Sequence, residues 1–327
     1  MKNEMLIEFL VVLFCTFALT AVISHFLIPV LKSKKMGQKI LEIGPRWHKS
    51  KEGTPTMGGI AFIAAMVLTV EAALMINNKE LGTVIPVMAL ALMNGFIGVI
   101  DDRAKLMKKQ NEGLLAWQKY LLQLLAGGVY LLLLQAWGVG GTVLHIPYFD
   151  VSVELGIGYY AVALILITGM VNSVNLTDGI DGLASTVSLV VGGFFAFAAF
   201  VAQARGLSLL SAALIGGTLG FLVYNFHPAR VFMGDTGSLF LGGLLTGCAF
   251  ALGEPLIILV AGLVFVIEAI SVILQVSVFK LSGRKKRLFK MAPIHHHFEK
   301  CGWNEYKIVA VFGAATVACC VLAFFGL

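Results

Sequence analysis

Hydrophobic residues run along this chain in long blocks rather than in alternation or in one-sided helical stripes. Apolar stretches near 5–31, 57–76, 82–100, 114–137, 153–172, 183–203, 209–224, 237–252, 255–279 and 306–326 are separated by short polar segments. About 20 apolar residues in a helix cross ~30 Å of hydrocarbon, so the pattern predicts an all-α polytopic integral membrane protein with about ten transmembrane helices. The stretches at 209–224 and 237–252 are short and rich in glycine, which makes them the least regular of the ten. The first block is longer than a signal-peptide core and is followed by no convincing cleavage site, so it is read as a spanning helix. Between the fourth and fifth blocks, WGVGGTVLHIPYFDVSVELG (137–156) alternates around turn formers and predicts a small β-hairpin. No repeat, linker or soluble segment marks a second domain, so 1–327 reads as one transmembrane domain.

Charge then orients the chain. Of 327 residues 58% are hydrophobic and 13% charged, and 21 of the 24 lysines and arginines fall in the loops after the odd-numbered spans, leaving Lys2, Lys79 and Arg205 opposite. Cytoplasmic loops carry such an excess, so both termini are expected outside, the hairpin on the periplasmic side, and the five basic loops in the cytoplasm. The net charge of +6 is thereby explained by topology and by attraction to anionic lipid headgroups, without nucleic acid. The five cysteines, four of them within spans, show no paired spacing, which argues against a disulfide framework or a zinc cluster.

Polar residues are costly in hydrocarbon, so their positions carry information. They gather in four sequence-distant clusters, all on the basic face. NGFIGVIDDRAK ends the third span with Asp101 and Asp102. Beside Arg103 and Lys105 this pair could be a solvated helix end, yet two acids at a helix C-terminus oppose the helix dipole. NSVNLTDGIDGLA closes the fifth span with Asn172, Asn175 and Asp178 on one helical face and Asp181 beyond. It reads either as a turn or as donors and acceptors suited to a uracil edge and ribose hydroxyls. YNFHPARVFMGDTGS sets Asp235 among glycines and hydroxyls before a helix, where an N-cap and a phosphate site are both compatible. MAPIHHHFEK follows the ninth span, and its three adjacent histidines project in different directions whether helical or extended. Helical ligand pairs prefer i,i+4, which weakens a shared metal face, so hydrogen bonding to phosphates and carboxylates suits them better. WHKSKEGTPTMGG (47–59), with His48, Lys49 and Lys51, and Lys119 at the fourth span, are either positive flanks or point charges for phosphate.

Carboxylates without cysteine suit Mg²⁺, which takes one or two acids together with substrate phosphates. With lysines and histidines nearby, the inventory is that of phosphoryl transfer at a membrane surface. A transporter is the competing class, but its polar residues would have to cross the bilayer, whereas these stay at one face.

KEGTPTMGG, DDRAK, NLTDGIDGLA, GDTGSL and APIHHHFE, in this order along essentially the whole chain, resemble the phospho-N-acetylmuramoyl-pentapeptide transferases. The acid pair and the Asn/Asp motif resemble the wider superfamily of polyprenyl-phosphate N-acetylhexosamine-1-phosphate transferases (glycosyltransferase family 4), and the triple histidine is the mark of the muramoyl branch. The resemblance implies a bacterial cytoplasmic-membrane enzyme with its active site facing the cytoplasm, requiring Mg²⁺ and forming a homodimer. It would transfer phospho-MurNAc-pentapeptide from UDP-MurNAc-pentapeptide to undecaprenyl phosphate, giving lipid I and UMP. By motif, Asp235 is then the main magnesium ligand, with Asp101 and Asp102 positioning the lipid phosphate or assisting the metal. Asn172, Asn175, Leu176, Asp178, Asp181, Asn225 and Phe232 fall where the family holds uridine and neighbouring groups. Lys51, Thr56 and Lys119 fall near nucleotide and phosphates, and His295, His296 and His297 near the sugar-phosphate. Because the acceptor phosphate is already anionic near neutrality, direct attack is expected rather than an aspartyl-phosphate route.

Overall fold

The computed structural model describes residues 2–34, 51, 53–76, 80–108, 113–149 and 151–327; His48 and Lys49 lie outside the described residues. Backbone polar groups in hydrocarbon must be satisfied within the segment, and the apolar blocks accordingly form helices. In chain order these are α1 (Lys2–Ser33), α2 (Gly59–Ile76), α3 (Leu81–Lys108), α4 (Ala116–Ala136), α5 (Gly158–Thr177), α6 (Leu183–Ala202), α7 (Arg205–Asn225), α8 (Gly234–Ala251), α9 (Ile257–Ala261), α10 (Leu263–Leu281), α11 (Ile294–Lys300) and α12 (Glu305–Phe324). The protein is an all-α polytopic membrane protein. Among the described residues, nine helices are long and apolar enough to cross a membrane.

The tenth expected span, 237–252, corresponds to α8, and it fails that criterion for a physical reason. Residues Thr236–Phe250 of α8 are buried without interruption, so protein rather than lipid surrounds the helix and its glycines and hydroxyls meet no hydrocarbon. Its most extensive packing is on α3, with α5 and α2 also against it. A Cβ at Gly59 would overlap Gly237, so only glycine lets α2 and α8 come this close. Three boundaries differ from the hydrophobic pattern. Helix α3 continues two turns past the apolar block, so Asp101, Asp102 and Lys105 are helical. The expected 255–279 span is broken at Gly262 into α9 and α10. The expected start of the fifth span, 153–154, is strand instead.

That strand belongs to the expected hairpin: β1 (Val143–Ile146) pairs antiparallel with β2 (Val151–Glu154), Val143 opposite Glu154 and Ile146 opposite Val151. The hairpin lies at the end of the bundle away from the acids. There His145 meets Glu254 beyond α8 at 2.8 Å, the Tyr148 hydroxyl donates to Leu322 O near the end of α12, and Arg205 pairs with Glu8. The C-terminal ends of α3 and α5 and the N-terminal ends of α4, α8 and α12 form the opposite end.

Candidate active site

Asp235 stands in the first turn of α8, which begins at Gly234, whose φ is +70°. Its carboxylate collects donors from three other positions. Lys105 Nζ lies 2.9 Å and Lys119 Nζ 2.8 Å from Oδ2, and the Asn175 amide donates to Oδ1 at 2.9 Å. Asn175 also donates to Ser238 Oγ at 2.8 Å and accepts from Lys119 at 3.1 Å. Thus α3, α4, α5 and α8 meet at one carboxylate.

The adjacent acids of α3 are both buried but are held differently. Asp101 accepts the Leu114 N–H at 2.8 Å and, one turn along its own helix, pairs with Lys105 at 2.7 Å. Asp102 accepts the N–H of Asp235 at 3.1 Å and both the N–H and the hydroxyl of Thr236, at 2.9 and 2.7 Å. Helix N-termini leave such amides without intrahelical partners, so Asp102 caps α8 from a neighbouring helix. Oxygens of Asp101, Asp102 and Asp235 lie within 4.8 Å of one another, an oxygen-only donor set that fits a hard divalent cation. Thr56 borders the same place: a Cβ on Gly234 would meet both the Asp102 carboxylate and Thr56 Oγ1. The approach is close on the other side as well, since a Cβ on Gly98 would strike the Asp235 carbonyl and the Thr236 nitrogen.

A second cluster forms around Asp181. Lys51 Nζ lies 2.7 Å from Asp181 and 2.6 Å from Glu305, at the first turn of α12. The other Asp181 oxygen takes His227 Nδ1 at 2.8 Å and the Ala229 N–H at 2.9 Å, while the Asp181 N–H donates to Glu305. Asp181, His227 and Glu305 also present ligand atoms within 4.8 Å, but this set mixes an imidazole nitrogen with oxygens and suits Mg²⁺ less well than three carboxylates do. Asp178, which ends α5, lies between the two clusters. Burial of its carboxyl, with Asp235, Asp102 and Asp181 nearby, pushes its pKa up to about 8.

The remaining expected residues sort by what they touch. Asn172 exchanges hydrogen bonds with Gln123 at 2.6 and 3.3 Å, one turn deeper than Asn175, and ties α4 to α5. Asn225 is buried, accepting from Ser185 and donating to Val231 O, which holds the connection into α8. Phe232 is half-buried and clasps the 55–58 segment through its backbone, accepting from Gly58 and donating to Pro55 O. Leu176 is half-buried. The three histidines are all on α11 and find different partners, although the rings of His295 and His296 lie against each other with centroids 4.1 Å apart. His295 is fully buried against Glu268 of α10, His296 meets Glu299 at 2.5 Å, and His297 accepts the Lys290 N–H at 3.1 Å.

Several residues of these networks were not singled out by the sequence, Lys105, Glu268, His227 and Glu305 among them. Lys105 carried a signal, its i,i+4 spacing from Asp101. Glu268 carried another, a lone acid inside an apolar block. His227 and Glu305 carried none, because only folding brings them to Asp181.

Helices enclosing α8, and a face where carboxylates and ammonium groups converge, define a membrane-embedded transferase of the glycosyl transferase family 4 class, whose family model matches residues 84–253. Residues 51–63 match the phospho-N-acetylmuramoyl-pentapeptide-transferase signature 1. Relatives of that name include proteins of Clostridium perfringens (strain SM101 / Type A), 44% identical over 94% of both chains, and of Clostridium acetobutylicum, 45% identical over 92% of this chain and 93% of the relative. A third, from Desulfitobacterium hafniense, is 44% identical over 93% of each. The chain belongs to the phospho-N-acetylmuramoyl-pentapeptide-transferase family.

Proposed function

We propose that this protein transfers phospho-MurNAc-pentapeptide from UDP-MurNAc-pentapeptide to undecaprenyl phosphate at the cytoplasmic face of the bacterial inner membrane, releasing UMP and lipid I. The observation that carries the reading is the convergence on Asp235 of two ammonium groups and an amide from three other helices, beside two further acids. Family membership supplies the substrate class, and the distribution of basic loops supplies the face.

Mg²⁺ would be held by Asp235 with Asp101 beside it, and when bound it neutralises phosphoryl oxygens. Asp102 is committed to the α8 amides and acts as the anchor that keeps Asp235 in place. Lys105 and Lys119 are the cations positioned to take up phosphate charge, and Asn175 fixes the carboxylate that they share. The acceptor phosphate oxygen attacks the sugar-bearing phosphorus of the donor, a pyrophosphate bond forms to the lipid, and the bond to UMP breaks. The acceptor needs no general base, because its phosphate is already largely dianionic near neutrality. Alignment and charge neutralisation therefore carry the rate.

Purified protein is incubated with undecaprenyl phosphate, Mg²⁺ and either UDP-MurNAc-pentapeptide or UDP-N-acetylglucosamine, and UMP and lipid product are measured. Turnover with the muramoyl donor alone is expected. Turnover with only UDP-N-acetylglucosamine would overturn the assigned specificity, and silence with both from folded protein would overturn the transferase reading.

A further inference from the structure

Glu268 is the one acid of α10, fully buried, and among the described residues its side-chain partner is His295, also fully buried, at 3.1 Å. A carboxylate only accepts, so His295 Nδ1 is the donor, and the same Glu268 oxygen also lies 3.4 Å from the His295 backbone N–H. Two polar atoms of the pair stay unmatched: Glu268 Oε1 and His295 Nε2 are buried with no hydrogen-bond partner among the described residues. Leaving a buried polar atom unpaired costs about 1–3 kcal/mol, so a native structure that retains one invites an explanation at the site it faces. His295 Nε2 faces the turn after α5: a Cβ on Gly179, between Asp178 and the Asp181 cluster, would overlap the imidazole at Nε2.

We propose that Glu268 is a positioning residue for the transfer reaction: it fixes the ring orientation and proton placement of His295, holding Nε2 free beneath the 178–181 turn for a polar group of the sugar-nucleotide donor. The inference rests on the function proposed above. Orientation of a functional imidazole by a buried carboxylate is a familiar device, since the partner of one ring nitrogen decides what the other can do. Here the requirement is for an acceptor at Nδ1. A neutral amide oxygen can meet it, whereas a methyl group cannot.

The test uses the full-length protein, with turnover measured against both substrates for wild type, Glu268→Gln, Glu268→Ala, His295→Ala and the Glu268→Ala/His295→Ala double variant. Glu268→Ala is expected to lower kcat/KM for the donor by about ten- to a hundred-fold, by analogy with the loss seen when the outer partner of a metal-bound histidine is removed. Glu268→Gln is expected to recover most of that loss, and the double variant to be no worse than His295→Ala alone, because Glu268 acts through that ring. Additive losses, or a Gln variant as impaired as the Ala variant, would overturn the proposal. So would a wild-type rate in Glu268→Ala. Thermal melting of Gly179→Ala supplies a readout independent of turnover: its destabilisation should be relieved in the His295→Ala background, and persistence there would refute the contact on which the argument stands. An inactive wild type would instead remove the functional reading itself.

Discussion

Asp102 of α3 accepts the backbone N–H of Thr236 at 2.9 Å and its hydroxyl at 2.7 Å, so an acid that looks equivalent to its neighbour is the cap of another helix. Asp101, one residue earlier, has no part in that cap and pairs with Lys105. Replacing Asp102 by Ala should therefore destabilise the protein by on the order of 2–3 kcal/mol, as amides at a buried helix start lose a charged acceptor. Asp101→Ala should cost less stability while impairing turnover. Melting temperatures in one detergent compare the two, and equal losses would contradict the division.

Gly98 lies where α3 crosses the start of α8. A methyl group there would press on the Asp235 carbonyl, and packed helices yield to such an insertion at a cost of about 1–3 kcal/mol. Gly98→Ala is expected to lower both the melting temperature and the transfer rate, because the displaced backbone carries Asp235. A variant with wild-type activity would show that the site tolerates movement of α8.

The Asp178 carboxyl, with its pKa near 8, predicts a pH dependence of stability. Between the ordinary carboxyl value of 3.8 and about 8, the folded protein binds more protons than the unfolded chain, so stability falls as pH rises through this window. In metal-free buffer the melting temperature should decline from pH 6 to 9, and Asp178→Asn should remove part of that decline. Identical pH profiles for the two proteins would refute the assignment.

Lys51 separates the carboxylates of Asp181 and Glu305. Lys51→Met leaves the two acids facing each other without their shared cation, and breaking a buried pair on one side costs about 3–5 kcal/mol at most. The double variant Lys51→Met/Glu305→Gln should be more stable than Lys51→Met, since one of the stranded charges is gone. A double variant that melts no higher than the single would show that Lys51 contributes through something other than this pair.

Long apolar blocks made the helices legible, because a membrane demands them irrespective of tertiary detail. Central α8 was harder to read: enclosed by α2, α3 and α5, it needs little hydrophobicity, and its glycines serve close packing. The first acidic cluster could be foreseen from DDRAK and GDTGS, which concentrate polar groups at the end of one apolar block and the start of another. Its internal division could not, because Asp102 caps a helix that begins more than a hundred residues later. Distance along the chain likewise hid Glu305 and His227 from Asp181, and hid the Gln123 partner that draws Asn172 into a link between helices. The histidines were expected to point apart; they find different partners, but the rings of His295 and His296 stay 4.1 Å apart. That one of them is buried on a carboxylate within α10 depends on α11 packing back against α10, which the hydrophobic pattern does not reveal.

The central claim is that Asp235 organises metal-assisted phosphoryl transfer, and Asp235→Asn tests it while preserving size. Mg²⁺-dependent UMP release from UDP-MurNAc-pentapeptide and undecaprenyl phosphate is measured for the variant and the wild type, with folding checked by thermal melting. The account predicts a folded variant whose turnover falls by at least about a hundred-fold, the scale on which loss of one electrostatic element of an active site is felt. Near-normal Mg²⁺-dependent turnover by folded Asp235→Asn would contradict it.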